Sequence, residues 1–187
     1  EIGMLDDSVK MYSKDYFFKY QGHGGEITYW RDKERTKREM LELSPEDKDV
    51  IEKFFENVTR AESMIMPIDK PMDKMGPRDF MKLGDFVKNV PAAQKAYKGV
   101  SVKDLADSFK SPVLRSSCML THPEMTQAYS FIMSYAMVTS GSGDIPEGGS
   151  LAAAMRIANR YQEKGGKLHL NSPVKSVKIN GKTASGI

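Results

Sequence analysis

An α+β fold is predicted, with a mixed or antiparallel sheet that includes an aromatic hairpin and is covered by a mostly helical middle block. Three observations carry this. Aromatic residues alternate at period two over residues 12–30. Apolar residues then recur at three- and four-residue spacing through residues 31–139. Strand-like runs return within residues 140–187, punctuated by Gly165-Gly166 and Asn180-Gly181. The expected organisation is one domain spanning residues 1–187, in three segments: 1–30 with the strand hairpin, 31–139 as the helical block, and 140–187 as loop, helix and returning strands.

The first segment reads as a β-hairpin. Tyr16, Phe18 and Tyr20 fall on one face and Phe17 and Lys19 on the other, because side chains alternate along a strand. Gln21-Gly22-His23-Gly24-Gly25 is the turn, since glycine tolerates positive φ, and Glu26-Ile27-Thr28-Tyr29-Trp30 is the return strand.

The helical block follows from its caps. Asp32 can cap a helix through about Leu43. Ser44-Pro45-Glu46-Asp47 combines a capping serine, proline at the first helical position and acids in the first turn. Ile51, Phe54, Phe55, Val58, Ala61 and Ile65 then make the apolar stripe of a helix to about Met66. A further helix is expected from about Pro77 to Val90, with Phe80, Leu83, Val87 and Val90 on one face, and Pro91 can open another that carries Tyr97. Ser101-Val102-Lys103-Asp104 looks like a capping box. Ser111-Pro112 and His122-Pro123 look like helix starts, the second opening a helix with Met125, Phe131, Ile132 and Tyr135. Ser140-Gly141-Ser142-Gly143 ends it in a loop.

In the last segment Leu151, Ala154, Met155, Ala158 and Tyr161 stripe a helix that Gly165-Gly166 stops. Leu168 and Leu170 are expected on one strand face, Val174 to Ile179 in a second strand, and Asn180-Gly181 in a hairpin turn.

Composition narrows the function classes. Of 187 residues, 40% are hydrophobic and 28% charged, which suits a soluble globular chain with a core. The net charge of +3 makes no case for nucleic acid. One cysteine, Cys118, excludes an internal disulfide framework and favours a reducing, cytoplasmic setting. No run reaches the ~18 apolar residues of a membrane span. The histidines, His23, His122 and His169, are dispersed and lack metal-ligand spacing. No nucleophile elbow, P-loop or H-E-x-x-H occurs, so no catalytic residue is assigned. Gly22-His23-Gly24 and Gly141-Ser142-Gly143 each lack the third glycine of a dinucleotide fingerprint.

Methionine is abundant, at 13 residues, among them Met64, Met66, Met72, Met133 and Met137. Methionine adapts its shape to apolar ligands. Hairpin aromatics with Met-rich helices suit a deformable pocket for a long hydrophobic compound, with Tyr16, Phe18, Tyr29, Met133 and Met137 as candidate lining.

Two stretches carry a family resemblance. Ile145-Pro146-Glu147-Gly148-Gly149-Ser150 through Gly186-Ile187 resembles the segment that follows the substrate region in phytoene-dehydrogenase-like, FAD-dependent oxidoreductases. Tyr29-Trp30-Arg31-Asp32 with Leu41-Glu42-Leu43-Ser44-Pro45-Glu46-Asp47 is similar to that family's strand–helix–helix sequence. The resemblance implies a substrate-binding (cap) region of a two-part flavoprotein acting on an apolar, isoprenoid-like or lipid compound. It further implies that Pro146, Gly148 and Gly149 belong to a loop near the substrate, and that the backbone of Val174 lies against the adenine of FAD in the intact parent. The family's Gly-rich flavin motif has no counterpart here, and both ends look cut. The expectation is therefore an excised region that binds no FAD alone, is inactive alone, and is partnered by an FAD-binding domain of the same polypeptide. Membrane contact to collect substrate is compatible with this. The other reading is a non-enzymatic module that binds a hydrophobic ligand or a protein.

Overall fold

The computed structural model describes residues 3–6, 8–63, 72–81 and 84–187. In chain order the elements are β1 (Met11–Tyr12), β2 (Tyr16–Gly22), β3 (Gly25–Trp30), α1 (Lys33–Leu43), a 3-10 turn (Pro45–Asp47), α2 (Lys48–Glu62), a second 3-10 turn (Met72–Lys74), α3 (Pro77–Met81), α4 (Gly84–Ala96), α5 (Val102–Asp107), α6 (Pro112–Cys118), α7 (Ala128–Thr139), β4 (Ile145–Pro146), α8 (Gly149–Glu163), β5 (Lys178–Asn180) and β6 (Thr183–Gly186). The chain divides into two compact units, Ser13–Asp144 and Glu1–Tyr12 with Ile145–Ile187. The fold is mixed α and β, with antiparallel pairing throughout the described residues. The strands do not share one sheet, as the sequence suggests; among the described residues they form three separate two-stranded ladders, β1–β4, β2–β3 and β5–β6. No helix among the described residues is long and apolar enough to cross a membrane.

The Ser13–Asp144 unit is built on the β2–β3 hairpin. Its turn, His23-Gly24, holds φ of 53° and 75° between the paired Gly22 and Gly25. Two positive φ values mark the I′ turn, whose twist matches that of the strands. The alternation breaks at Phe17. Tyr16 pairs with Trp30 and Phe18 with Tyr29, so Phe17 is an extra residue in the ladder, a β-bulge that shifts the side-chain faces. Tyr16 therefore does not share a face with Phe18 and Tyr20. It lies edge-on to Trp30, ring centroids 6.2 Å apart, while Phe17 and Phe18 both pack on the core.

Helix caps account for the next elements. The Asp32 carboxylate accepts the N–H groups of Glu34 and Arg35 and starts α1. Ser44 caps differently from its expected role: its hydroxyl donates to Asp47 at 2.7 Å rather than accepting a backbone N–H. Asp47, buried, in turn accepts the N–H of Lys110 at 2.8 Å and of Ser111 at 3.0 Å, and so ties the start of α2 to the start of α6. Helix α2 buries Ile51, Phe54, Phe55, Val58 and Ala61; Ile65 and Met66 lie outside the described residues, as does Met64. Pro91 does not open a new helix but sits inside α4. Its fixed φ is already helical and the lost N–H removes one hydrogen bond; the buried Val90 and Ala93 on either side hold the helix to the core. Of the stripe expected before it, Phe80 is exposed, and Leu83 and the side chain of Val87 lie outside the described residues.

Ser101 and Asp104 form the expected capping box of α5, and Ser111 caps α6. His122-Pro123 does not start a helix. The backbone of residues 124–128 is instead used across the fold: Val102 N–H donates to Thr126, Lys103 N–H to Glu124, and Ala128 N–H to Val100. Helix α7 therefore begins at Ala128 and leaves Met125 exposed. It buries Ala128, Phe131, Ile132, Tyr135 and Ala136.

At the centre is Tyr135, whose ring meets Phe17, Tyr29, Phe54 and Phe55. Its hydroxyl lies 2.8 Å from both the Trp30 carbonyl and the Thr36 hydroxyl, and the Trp30 N–H donates to Thr36 Oγ1 at 2.8 Å. A phenol has one hydrogen. Donated to the Trp30 carbonyl, it leaves the phenol oxygen to accept from Thr36, and all groups are satisfied.

In the second unit β1 pairs with β4, Met11 opposite Pro146 and Tyr12 opposite Ile145. Helix α8 ends in a Schellman motif: Gly165 takes φ 86°, its N–H donates to Gln162, and Gly166 N–H donates to Tyr161. Residues 167–177 are not strands. A strand needs a ladder partner for its N–H and C=O groups, and among the described residues only Lys178–Asn180 finds one, in β6. The closing turn is one residue later than expected. Asn180 pairs with Thr183, so the central residues are Gly181 and Lys182, and of these only Gly181, at 63°, has positive φ.

Two expected outcomes follow from the core. Tyr135→Phe keeps the ring but strands the Trp30 carbonyl, while Thr36 Oγ1 still accepts the Trp30 N–H, and is expected to cost about 1–3 kcal/mol in urea unfolding. The Asp47 carboxyl is pushed up by burial, but its hydrogen bonds outweigh this and hold it below the usual carboxylate range. A lowered folded-state value stabilises above the unfolded value and is lost as pH falls through the folded one. Asp47→Asn is thus expected to destabilise by about 1–3 kcal/mol at neutral pH, and the gap from wild type should close as pH drops below ~4. A gap independent of pH would contradict this role.

Candidate functional site

The bulge at Phe17 builds a groove within the Ser13–Asp144 unit. Turned away from the core, Tyr16 stands 44% exposed, while Phe17 stacks toward Tyr135 with centroids 6.2 Å apart. Opposite them, Ser134, Met137 and Val138 lie at three- and four-residue spacing on one flank of α7. With Lys14, Arg31 and Gly143 these residues line a groove of about 270 Å³. Gly143 lets the loop lie close to the end of α7. A Cβ there would meet Val138 Cγ2 at 3.0 Å and its Cα at 3.3 Å, a tight approach.

One side of the groove is cationic. Arg31 forms an ion pair with Asp144. The Ser13 hydroxyl, then the Arg31 guanidinium, hold the Asp144 carboxyl below its ordinary range. Arg31 Nε is buried and has no hydrogen-bond partner among the described residues. Among the described ion pairs none involves Lys14. Ser134 donates to the Ser130 carbonyl at 2.9 Å, and its Oγ lies 3.3 Å from His122 Nε2. His122 Nδ1 faces the Thr121 hydroxyl at 2.9 Å. Burial pushes the imidazole pKa down, which keeps it neutral at pH 7. This is not a nucleophile–base pair: the serine hydrogen is held by a helix carbonyl, and among the described residues no carboxylate orients the histidine.

Three further groups with shifted titration are buried in the core. Burial pushes the Cys118 thiol up to about 12 and the Tyr29 and Tyr135 phenols above their usual range. All three stay protonated, and none lines the groove. Among the described residues no three His, Cys, Asp or Glu side chains are placed to hold a metal ion. The lining presents an apolar wall, a polar hydroxyl and two cations.

The residues singled out from sequence divide as follows. Tyr16 and Met137, the latter 46% exposed, meet in the groove. Tyr29 is 1% exposed, with its hydroxyl 3.0 Å from Ser117; it supports the hairpin from within. Phe18 stacks on Tyr29 at 4.4 Å, and Met133 packs against the core. Pro146, Gly148, Gly149 and Val174 belong to the other unit. Pro146 pairs with Met11, Gly148 at φ 77° caps α8, and Val174 is exposed and outside any strand. Sequence reasoning missed Lys14, Phe17, Arg31, Ser134, Val138 and Gly143. Arg31 carried one usable signal, a cation directly after an aromatic strand; the bulge that recruits Phe17 left none.

A flavin dinucleotide needs a glycine-rich turn between a strand and a helix N-terminus. Among the described residues, Gly22 and Gly24 belong to a hairpin turn, and Gly141 and Gly143 follow α7. Gly148 is required by its own helix, since a Cβ would lie 2.5 Å from that of Ala152. The residues present do not fit that cofactor by themselves.

No family model matches the chain, and no solved structure matches it. The chain is similar to the phytoene desaturase (lycopene-forming) of Paracoccus sp. (strain N81106 / MBIC 01143), with 24% identity over 179 residues, which cover 91% of this chain and 34% of that protein. The chain thus spans about a third of the length of this curated relative. The similarity places it in a distant relation to the phytoene desaturase family.

Proposed function

We propose that these residues form the substrate-contacting part of an FAD-dependent oxidoreductase of desaturase, saturase or isomerase type, acting on a long apolar, isoprenoid-like or lipid compound. The observation that carries this is the similarity to a phytoene desaturase along 91% of the chain. The groove agrees with it in kind. Tyr16, Phe17, Met137 and Val138 offer apolar and polarisable surface, and the lining holds no carboxylate or histidine among the described residues. In such enzymes the flavin carries the redox chemistry and the protein positions the substrate. Here the flavin site would come from another part of the polypeptide. The residues of this chain would hold an extended apolar compound and exclude water from it, and the chain alone would be colourless and inactive.

Trp30 is the chain's one tryptophan and lies edge-on to Tyr16, so its emission reports on the groove. Titration with a conjugated isoprenoid polyene is expected to quench Trp30 saturably. Met137→Glu puts a charge into the apolar wall. It is expected to weaken binding by roughly tenfold or more with little change in Tm, because Met137 is half exposed. Unchanged quenching in that variant would remove the groove from the proposal.

A further inference from the structure

Resting on the groove as the ligand site, its charge distribution narrows the class of ligand. A pure hydrocarbon has no use for Arg31 and Lys14, yet both face the same groove as Tyr16, Phe17 and Met137. Arg31 is only partly used by the protein. Its ion pair with Asp144 runs through one terminal nitrogen, and Nε is buried without an acceptor among the described residues. A buried charged donor left unpaired is unfavourable, so an acceptor beside it relieves a cost that the empty protein carries. Of the planar fork that Nε and Nη2 present, Asp144 already takes Nη2, so a ligand carboxylate would meet Nε through one charge-assisted hydrogen bond. Asp144 neutralises one charge; Lys14, with no ion pair among those described, leaves the groove net positive. The Ser134 hydroxyl adds a polar contact on the α7 side.

We propose that the groove takes an amphipathic ligand, an apolar chain that ends in a carboxylate, and that Arg31 is the residue that recognises the carboxylate. The apolar body lies along Tyr16, Phe17 and Met137, and the acid lies at the Arg31 side with Lys14 as a second, looser cation. Arg31 is then a specificity determinant that selects acids over the corresponding esters and hydrocarbons.

The test compares three ligands on the 187-residue chain: a conjugated-polyene fatty acid, its methyl ester and the matching hydrocarbon, each followed by energy transfer from Trp30. The acid is expected to bind about tenfold tighter than the ester, the scale of one charge-assisted hydrogen-bonded contact. Arg31→Gln is expected to abolish that preference while the ester's affinity stays unchanged. Lys14→Gln is expected to reduce the preference partly, as a more salt-sensitive term. Equal affinity for acid and ester in the wild type overturns the inference and leaves the groove reading standing. Binding of none of the three overturns the groove reading and this inference with it. A full acid preference retained in Arg31→Gln overturns the assignment of Arg31. Should that variant not fold, the wild-type comparison and Lys14→Gln still decide.

Discussion

The hydroxyl of Tyr135 is the constraint on which the larger unit depends. It is buried at the meeting point of α7, the end of β3 and α1, and it closes a ring of hydrogen bonds with the Trp30 carbonyl and Thr36. A polar group in such a place is costly unless every donor and acceptor is matched. Once they are matched, few alternative packings keep them so. The ring of the same residue contacts Phe17, Tyr29, Phe54 and Phe55, so the hydrogen-bonded ring and the aromatic cluster fix one another. Asp47 has a similar part farther along, joining α2 to α6 through two backbone N–H groups. The helices are thus held to the hairpin by apolar area and oriented by a few buried polar groups.

Features decided by local chemistry were legible in the sequence. Asp32, Ser101 and Ser111 cap where their side chains predict, because a cap needs only a short acceptor two or three residues ahead of a free N–H. Gly165-Gly166 stops α8 because the αL conformation favours glycine. Features decided by distant partners were not legible. Whether residues 124–127 become helix or loop depends on Val100, Val102 and Lys103, which claim their backbone groups. Whether Leu168–Val177 become strand depends on a neighbour to pair with. Pro91 stays helical because its flanks are buried. The resemblance to a desaturase family was legible in the glycine and proline punctuation, and a distant similarity to one such enzyme supports it. The chemistry of the groove was not legible, since residues from β2, β3 and α7 line it.

Phe17 shows why the site in particular escaped. Strict alternation puts Tyr16 with Phe18 and Tyr20, facing the helices. One extra residue in β2 reverses Tyr16, turns its ring to the outer face beside Trp30, and sends Phe17 inward toward Tyr135. The surrounding structure holds the bulge in place. Arg31 N–H donates to the Asp15 carbonyl at 2.8 Å, which fixes the strands just before the ladder begins. On the outer face Arg35 lies 3.4 Å over the Trp30 ring, and Trp30 Nε1 donates to Glu39 at 2.8 Å. A one-residue irregularity thus turns a hairpin edge into one wall of a groove.

The core and the groove are consequently coupled through adjacent residues. Tyr135 holds the Trp30 carbonyl, the next residue is Arg31, and Met137 and Val138 follow Tyr135 on α7 by two and three positions. Both walls of the groove are therefore extensions of the same buried hydrogen bond. The aromatic wall hangs on the strand whose end that bond fixes, and the methionine wall on the helix that carries the phenol. A ligand that spread the walls apart would have to lengthen the bond between Tyr135 and Trp30, whereas one that adapts to the existing width would not. Met137 is the flexible member of the lining, so accommodation of different ligand widths falls to its rotamers rather than to the backbone. The spacing between the apolar wall and Arg31 is, in contrast, set by the core. For the ligand proposed above, variation in the apolar body would then fall to Met137 and the position of the polar end to the core.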